Sequence, residues 1–373
     1  MLPIIFKRVA GLDVHKKTVV ATRMRVVTEE EAEQETKTFG TTTPELLELH
    51  DWLQEWDLSH VAMESTGDYW KPVYNILEDT FETWVVNARH VKNVPGHKTD
   101  VIDSKWVAKL MMHGLLRASF IPPKPQRALR ELTRYRTRMV QERTRVVNRV
   151  QKLLEGANIK LSSVASDIMG VSARAMLAEI VAGQTDAELM ADLARGRMRS
   201  KIPELEKALT GIVELHHRFV LAQQLEHIDF LDEKVEAISL RIEQQLESMS
   251  WPDEPAEPDA GEGIEEGTPV ADESELPLTW NTAVALLDTI PGVNRRIAEV
   301  MLAEMGLDMR QFPTANHLAS WAGLSPGNNQ SGGKRYSGRT SKGNKALASI
   351  MVQGAWSATR KKDTFLKARY HRL

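Results

Sequence analysis

The sequence predicts an α/β fold followed by a mostly α half: a mixed sheet with helices on its faces, a helical middle and a small, mostly helical C-terminal domain. Three observations carry this. Over residues 1–121 short strand-like runs alternate with amphipathic segments of helix length. From Pro122 onward apolar residues recur only at helical spacing, and an acidic, proline-rich stretch then separates the last part of the chain.

In the first part, Val9–Val14 and Thr18–Val27 read as a hairpin and His60–Ser65 and Thr83–Val86 as short buried strands. Pro44–Trp56, Trp70–Glu78 and Asp103–His113 read as helices. That order of elements implies a mixed sheet covered by helices. Next, Leu129, Leu132, Met139, Val146, Val150 and Leu153 are spaced as one long amphipathic helix with arginines between them. A second long helix spans Leu215–Met249, where Leu221, Leu225, Ile228, Leu231, Val235, Ile238, Ile242 and Leu246 keep a near-heptad rhythm. The rhythm suits a coiled coil within or between subunits, or a plain helical bundle. Shorter helices, Ala173–Ala182 and Asp186–Ala194, lie between the long ones.

Thr282–Met305 reads as helix, turn, helix around Ile290-Pro291-Gly292-Val293-Asn294. Such a turn either offers the N–H groups of a helix N-terminus to a phosphate or joins two packed helices. The resulting division is residues 1–121, 122–250, an acidic linker at 251–278, and 279–373. Trp70, Trp106 and Trp321 are expected in cores rather than as base-stacking platforms.

Composition removes several classes of function. With no cysteine there is no disulfide, thiolate metal site or cysteine nucleophile. No apolar run has the length of a membrane span and Met1–Ala10 lacks the form of a secretory signal, so a soluble, cytoplasmic protein without membrane partners is expected. The net charge of −3 conceals strong segregation. Trp251–Leu278 has ten acids and no Lys or Arg, a composition that cannot bury enough apolar surface to order itself. Pro291–Leu373 has fourteen basic residues against four acids, and Lys124–Lys160 has eleven against three. Two such patches suit a polyanion; a solvated helix face is the plainer alternative.

The residues with chemistry are four carboxylates and a serine. Asp13 closes the run Phe6–Asp13, Glu64 closes His60–Glu64, and Asp100 and Asp103 stand where a helix begins. Two acids at strand ends and two at a helix start can converge on one point, as Mg2+ requires of its oxygen ligands. Ser331 lies in Gln330-Ser331-Gly332-Gly333-Lys334-Arg335, with Arg339, Lys342 and Lys345 following and further glycines at 327, 338 and 343. Glycines there let backbone approach a phosphate. The set points to metal-assisted phosphodiester chemistry with a serine available as nucleophile.

These residues carry a resemblance. Gly11-Leu12-Asp13-Val14-His15-Lys16-Lys17, Met63-Glu64-Ser65-Thr66-Gly67 and Lys98-Thr99-Asp100-Val101-Ile102-Asp103-Ser104 resemble the RuvC-like (RNase H-like) domain of the DEDD transposases of bacterial insertion sequences. Ile290-Pro291-Gly292-Val293, Ala322-Gly323-Leu324-Ser325-Pro326, Ser331-Gly332-Gly333-Lys334 and Ser341-Lys342-Gly343-Asn344 resemble that family's C-terminal transposase domain. The family is understood as bridge-RNA-guided serine recombinases.

The resemblance implies that Asp13, Glu64, Asp100 and Asp103 hold magnesium and that Ser331 forms a covalent phosphoserine with DNA. It implies a site shared between subunits of a homo-oligomer, a dimer assembling to a tetramer. A non-coding guide RNA would pair with double-stranded target and donor DNA in the bacterial nucleoid. Lys16, Lys17, Lys98, Arg134, Arg138, Arg145, Lys334, Arg335, Arg339, Lys342 and Lys345 are the expected nucleic-acid contacts. Ser325, Ser337 and Ser341 are rival nucleophiles, and His15 and His97 stand beside the acids without an assigned role. Many relatives have Gly at the position of Asn294, where Asn is expected to tolerate left-handed geometry. Relatives usually continue beyond Leu373 through another basic helical segment, so either this form is shortened or the sequence is cut from a longer chain. A structure-selective nuclease of the Holliday-junction resolvase type needs the four acids without the serine, and a non-catalytic nucleic-acid-binding protein needs neither.

Overall fold

The computed structural model describes residues 3–28, 31–64, 67–87, 103–249, 279–327, 329–331, 333–338, 340 and 343–372, with backbone alone at 103, 329–331 and 335–337. The chain falls into two compact units, Met1–Ile121 and Pro122–Leu373. The first is α/β and the second is largely helical, the class expected from the sequence.

The first unit begins with a meander of β1 (Arg8–Val14), β2 (Thr18–Val26) and β3 (Ala32–Gly40), antiparallel throughout. Helix α1 (Thr43–Gln54) leads to β4 (His60–Glu64), and α2 (Trp70–Leu77) leads to β5 (Glu82–Val86). The sheet order is β3-β2-β1-β4-β5, with β1, β4 and β5 mutually parallel. Helix α3 (Asp103–Met112) covers the opposite face from α1 and α2. Leu12, Val61 and Met63 face α1 and α2, whereas Val9, Ala62 and Val86 face α3. Burial on both sides explains why β1 and β4 read as continuous apolar runs.

Strand β3 was not legible as a strand. Of its nine residues only Phe39 is buried, so AEQETKTFG carries no apolar alternation. It is an edge strand held by its ladder to β2 and by charged pairs, among them Arg23 with Glu35 at 2.6 Å. Buried Arg23 also lies over the Trp52 ring at 4.1 Å, which offsets part of its desolvation.

The second unit is organised by α4 (Lys124–Gly156), followed by α5 (Leu161–Val164), α6 (Val171–Ala182), α7 (Ala187–Ala191), α8 (Ile202–Leu209) and α9 (Leu215–Ser248). Val146, Val150 and Leu154 of α4 pack with Leu221, Leu225, Ile228 and Leu231 of α9 and with α6. The near-heptad stripe of α9 is therefore covered within the chain. At the other end of the pair, Leu129, Ile242 and Leu246 join α10 (Trp280–Asp288) and α11 (Arg295–Met305) in a separate core. Then come α12 (Ala315–Ala322), the hairpin β6 (Asn329–Ser331) and β7 (Lys334–Ser337), α13 (Lys345–Arg360) and α14 (Phe365–Arg372). The expected acidic linker at 251–278 lies outside the described residues. No described helix is long and apolar enough to cross a membrane.

Candidate active site

Two of the four carboxylates come together through strand parity. Val9 and Ala62 face α3; side chains two residues apart share a face, so Asp13 and Glu64 also belong to the α3 side. The parallel register pairs Leu12 with Met63, and extending it by one residue sets Asp13 beside Glu64. Adjacent strands lie roughly 4.8 Å apart, so both acids stand together at the carboxyl ends of their strands. There the order turns, β2 lying on one side of β1 and β4 on the other, and ligands of open α/β sheets bind at such a switch point.

Helix α3 docks beside them because Gly11 has no side chain. A Cβ there would fall 2.2 Å from Ser104 O and 2.3 Å from Ala108 N, so the helix rests directly on β1. The buried Ser104 hydroxyl bonds the Thr22 hydroxyl at 2.9 Å and fixes the first turn. Asp103, whose backbone alone is described, begins that turn. Asp100, Lys98 and His97 lie outside the described residues. His15 Nε2 lies 3.0 Å from Asp13 Oδ2. Asp13 is a quarter exposed and Glu64 half-buried, an open set of oxygen donors that fits a hard divalent cation. Among the described residues another potential ligand group lies at the start of α9, with Glu214 and His216 exposed and His217 half-buried, and it is imidazole-rich.

Ser331 ends β6 and pairs with Lys334 of β7, so the two strands join through a tight turn that includes Gly333. Gly333 has φ +76°, the left-handed backbone that such a turn favours. Lys334, exposed, thus stands directly across the hairpin from Ser331. Below the hairpin, Pro326 bridges to Thr340, and Asn344 N–H donates to Trp321 O at 3.1 Å. A Cβ on Gly343 would lie 2.3 Å from Gly323 N. That glycine was expected to admit a phosphate; instead it lets two segments of the chain's own backbone meet, because 322–323 and 343–344 form the two sides of the hairpin's neck.

Two further expectations change. Asn294 has φ −110°, extended rather than left-handed, because it is the N-cap of α11 and its Oδ1 accepts from Ile297 N–H at 3.0 Å. Gly292 carries the positive φ of that turn, +90°, and a Cβ there would fall 2.4 Å from Gly354 O of α13. Among the rival nucleophiles, Ser325 is half-buried in the neck, Ser337 is described by backbone alone, and Ser341 lies outside the described residues.

A family model for the DEDD transposases of the IS110 type, described as Transposase, matches residues 10–159. A second, described as Transposase IS116/IS110/IS902 family, matches residues 284–371. The chain belongs to the DEDD-type insertion-sequence transposases. Among solved structures, T. thermophilus RuvC in complex with Holliday junction substrate is similar at 17% identity over 31% of this chain and 84% of that chain, with a TM-score of 0.21. No curated protein matches the transposase.

The transposase's cationic residues fall into distinct groups. Lys16 and Lys17 are exposed in the β1–β2 turn that follows Asp13, and Arg138, Arg145, Lys334 and Lys345 are exposed in the second unit. Arg134 is engaged within the protein: Nε and an Nη donate to Glu304 at 2.6 and 2.8 Å. Arg335 is described by backbone alone, and Arg339 and Lys342 lie outside the described residues.

Glu304 was missed in the sequence. It is fully buried, pairs with Arg130 and Arg134 of α4, and accepts from Asn344 Nδ2 at 2.7 Å. Asn344 in turn caps α13 through Ala346 N–H and Leu347 N–H. Burial pushes the Arg130 guanidinium down to about 10, with Glu304 opposing that shift. One carboxylate therefore ties α4, α11 and the hairpin's neck together. The available signal was two Glu, Glu299 and Glu304, inside the apolar run of α11, downstream of an arginine-rich helix.

Proposed function

We propose that this transposase cuts and rejoins DNA through serine attack assisted by a divalent metal. Asp13, Glu64, Asp100 and Asp103 would hold Mg2+, which supplies electrostatic stabilisation of charge developing on the phosphate. Ser331 Oγ attacks phosphorus; the new Oγ–P bond forms as a P–O bond to deoxyribose breaks, the serine hydroxyl proton passes to solvent, and the leaving oxygen takes up a proton in return. The phosphoserine retains the phosphodiester's bond energy for rejoining to another DNA end. Lys334, across the hairpin, is placed to offset phosphate charge. Lys16 and Lys17, Lys98, Arg138, Arg145 and the C-terminal basic residues hold the nucleic-acid backbone, and Arg134 supports them through Glu304. A guide RNA reading target and donor DNA by base pairing, and a dimer or tetramer sharing the site between subunits, complete the proposal.

The observation that carries it is the placement of Asp13 and Glu64 on one face, at the ends of adjacent parallel strands, where α3 begins. The same placement suits a metal-dependent nuclease of the resolvase type, which would have no covalent intermediate. Asp13→Ala or Glu64→Ala should lower DNA cleavage by about a hundredfold or more while DNA binding stays close to normal. Cleavage and affinity measured in one magnesium buffer check this. Near-normal cleavage by either variant would remove the carboxylate site from the account.

A further inference from the structure

The second unit contains a cleft of about 1310 Å3 between α4, α11, α12 and α13. Its rim is cationic: Arg138 from α4, Arg296 from α11 and Lys345 from α13 are exposed there. Among the described lining residues there is no Asp or Glu. Two long helices also begin at it. Asn294 caps α11 and Asn344 caps α13, both lining the cleft, and the first-turn N–H groups of Arg296 and Lys345 have no intrahelical carbonyl. Helix dipoles and side chains thus add positive potential at one place.

The floor is apolar, made by Val140, Ile297, Val300 and Ile350. A surface that bound only phosphate would have no use for it, and a base pair keeps the faces of its bases inside the duplex stack. A ligand that carries both an anionic phosphate and an uncovered planar face matches rim and floor together. The volume exceeds what one drug-sized ligand fills, roughly 300–1,000 Å3, and leaves room for more than one nucleotide.

We propose that this cleft holds unpaired nucleotides of a nucleic-acid strand, phosphates at the starts of α11 and α13 and bases against the apolar floor. The proposal rests on the reading of this chain as a nucleic-acid enzyme. It adds a site specific for unpaired strand, where phosphate contact alone would grip any duplex. Strand is opened whenever a guide pairs with DNA, so both an RNA and a DNA source offer this chemistry.

Fluorescence anisotropy of the full chain with labelled oligouridine, oligothymidine, an abasic strand of equal charge and a short duplex tests it. The wild type should bind the base-bearing strands several-fold tighter than the abasic one; comparison of oligouridine with oligothymidine shows which source is preferred. Arg296→Ala with Lys345→Ala should weaken single-strand binding about tenfold and lower the salt slope by roughly 1.4, two contacts at ~0.7 each. Ser349→Trp, at an exposed residue lining the cleft, should abolish the preference for bases while sparing the salt slope. Circular dichroism of each variant confirms that the helices are intact. Equal losses for duplex and abasic strand, or no loss at all while duplex DNA is still bound, would overturn the cleft and leave the proposed cleavage chemistry standing. A wild type that bound no nucleic acid would overturn both.

Discussion

The end of the sheet in the first unit and the hairpin neck in the second place their candidate residues by different physics. Asp13 and Glu64 are set by backbone topology: two parallel strands in fixed register, side-chain parity, and a helix brought to contact by Gly11. Ser331 sits on a short hairpin whose base is held by side chains, chiefly Glu304 and Asn344. A site set by topology tolerates substitution around it but not a change in how its layers meet. A site held by a polar network can be disturbed from a distance, because removing one buried partner leaves the others unsatisfied.

The largest expected effect on stability is at the layer contact. Gly11→Val places carbon atoms inside the backbone of α3, and the α3 face should separate from the sheet at a cost of about 3 kcal/mol or more. Urea unfolding of the first unit's signal measures it. A well-folded Gly11→Val enzyme with normal stability would show that α3 does not need to touch β1.

The next effect tests the other region. Glu304→Gln keeps shape but removes the negative charge that faces Arg130 and Arg134; with Arg134 partly exposed, the loss should be about 2 kcal/mol. Its loss should be confined to the second unit and should lower covalent chemistry at Ser331 more than DNA affinity. Equal loss of stability in both units would erase the distinction between the two sites.

These two positions also show what the sequence disclosed. The strands of the parallel core and the long helices were legible because apolar residues repeat at the period of their elements, and Asp13 and Glu64 because they end such runs. β3 was not, since an exposed edge strand has no buried side to leave a pattern. Glu304 was not, because its meaning depends on Arg134 and Asn344, remote in sequence. Gly343 was seen but given the wrong neighbour: absence of a Cβ declares close approach without saying what approaches.

The smallest expected effect concerns pH. Burial among Phe6 and Trp84 lowers the pKa of His60 below its ordinary value, with Glu82 opposing. The folded state therefore favours neutral His60 more than the unfolded chain does. Its contribution is full above the ordinary histidine pKa and is lost as pH falls through the lowered one. The midpoint of thermal unfolding should drop less between neutral and mildly acidic pH in His60→Phe than in the wild type. An unchanged pH dependence would mean that His60 titrates alike in both states.

The central claim, metal-supported carboxylates acting with a serine nucleophile, is tested most directly by the covalent intermediate. Wild-type transposase incubated with cognate DNA, its element RNA and Mg2+ should yield a denaturant-resistant protein–DNA adduct that peptide mass spectrometry maps to Ser331. Ser331→Ala should give none, whereas Ser325→Ala, Ser337→Ala and Ser341→Ala should retain it. Cleaved DNA without any adduct, or an adduct mapped to a different serine, would contradict the account.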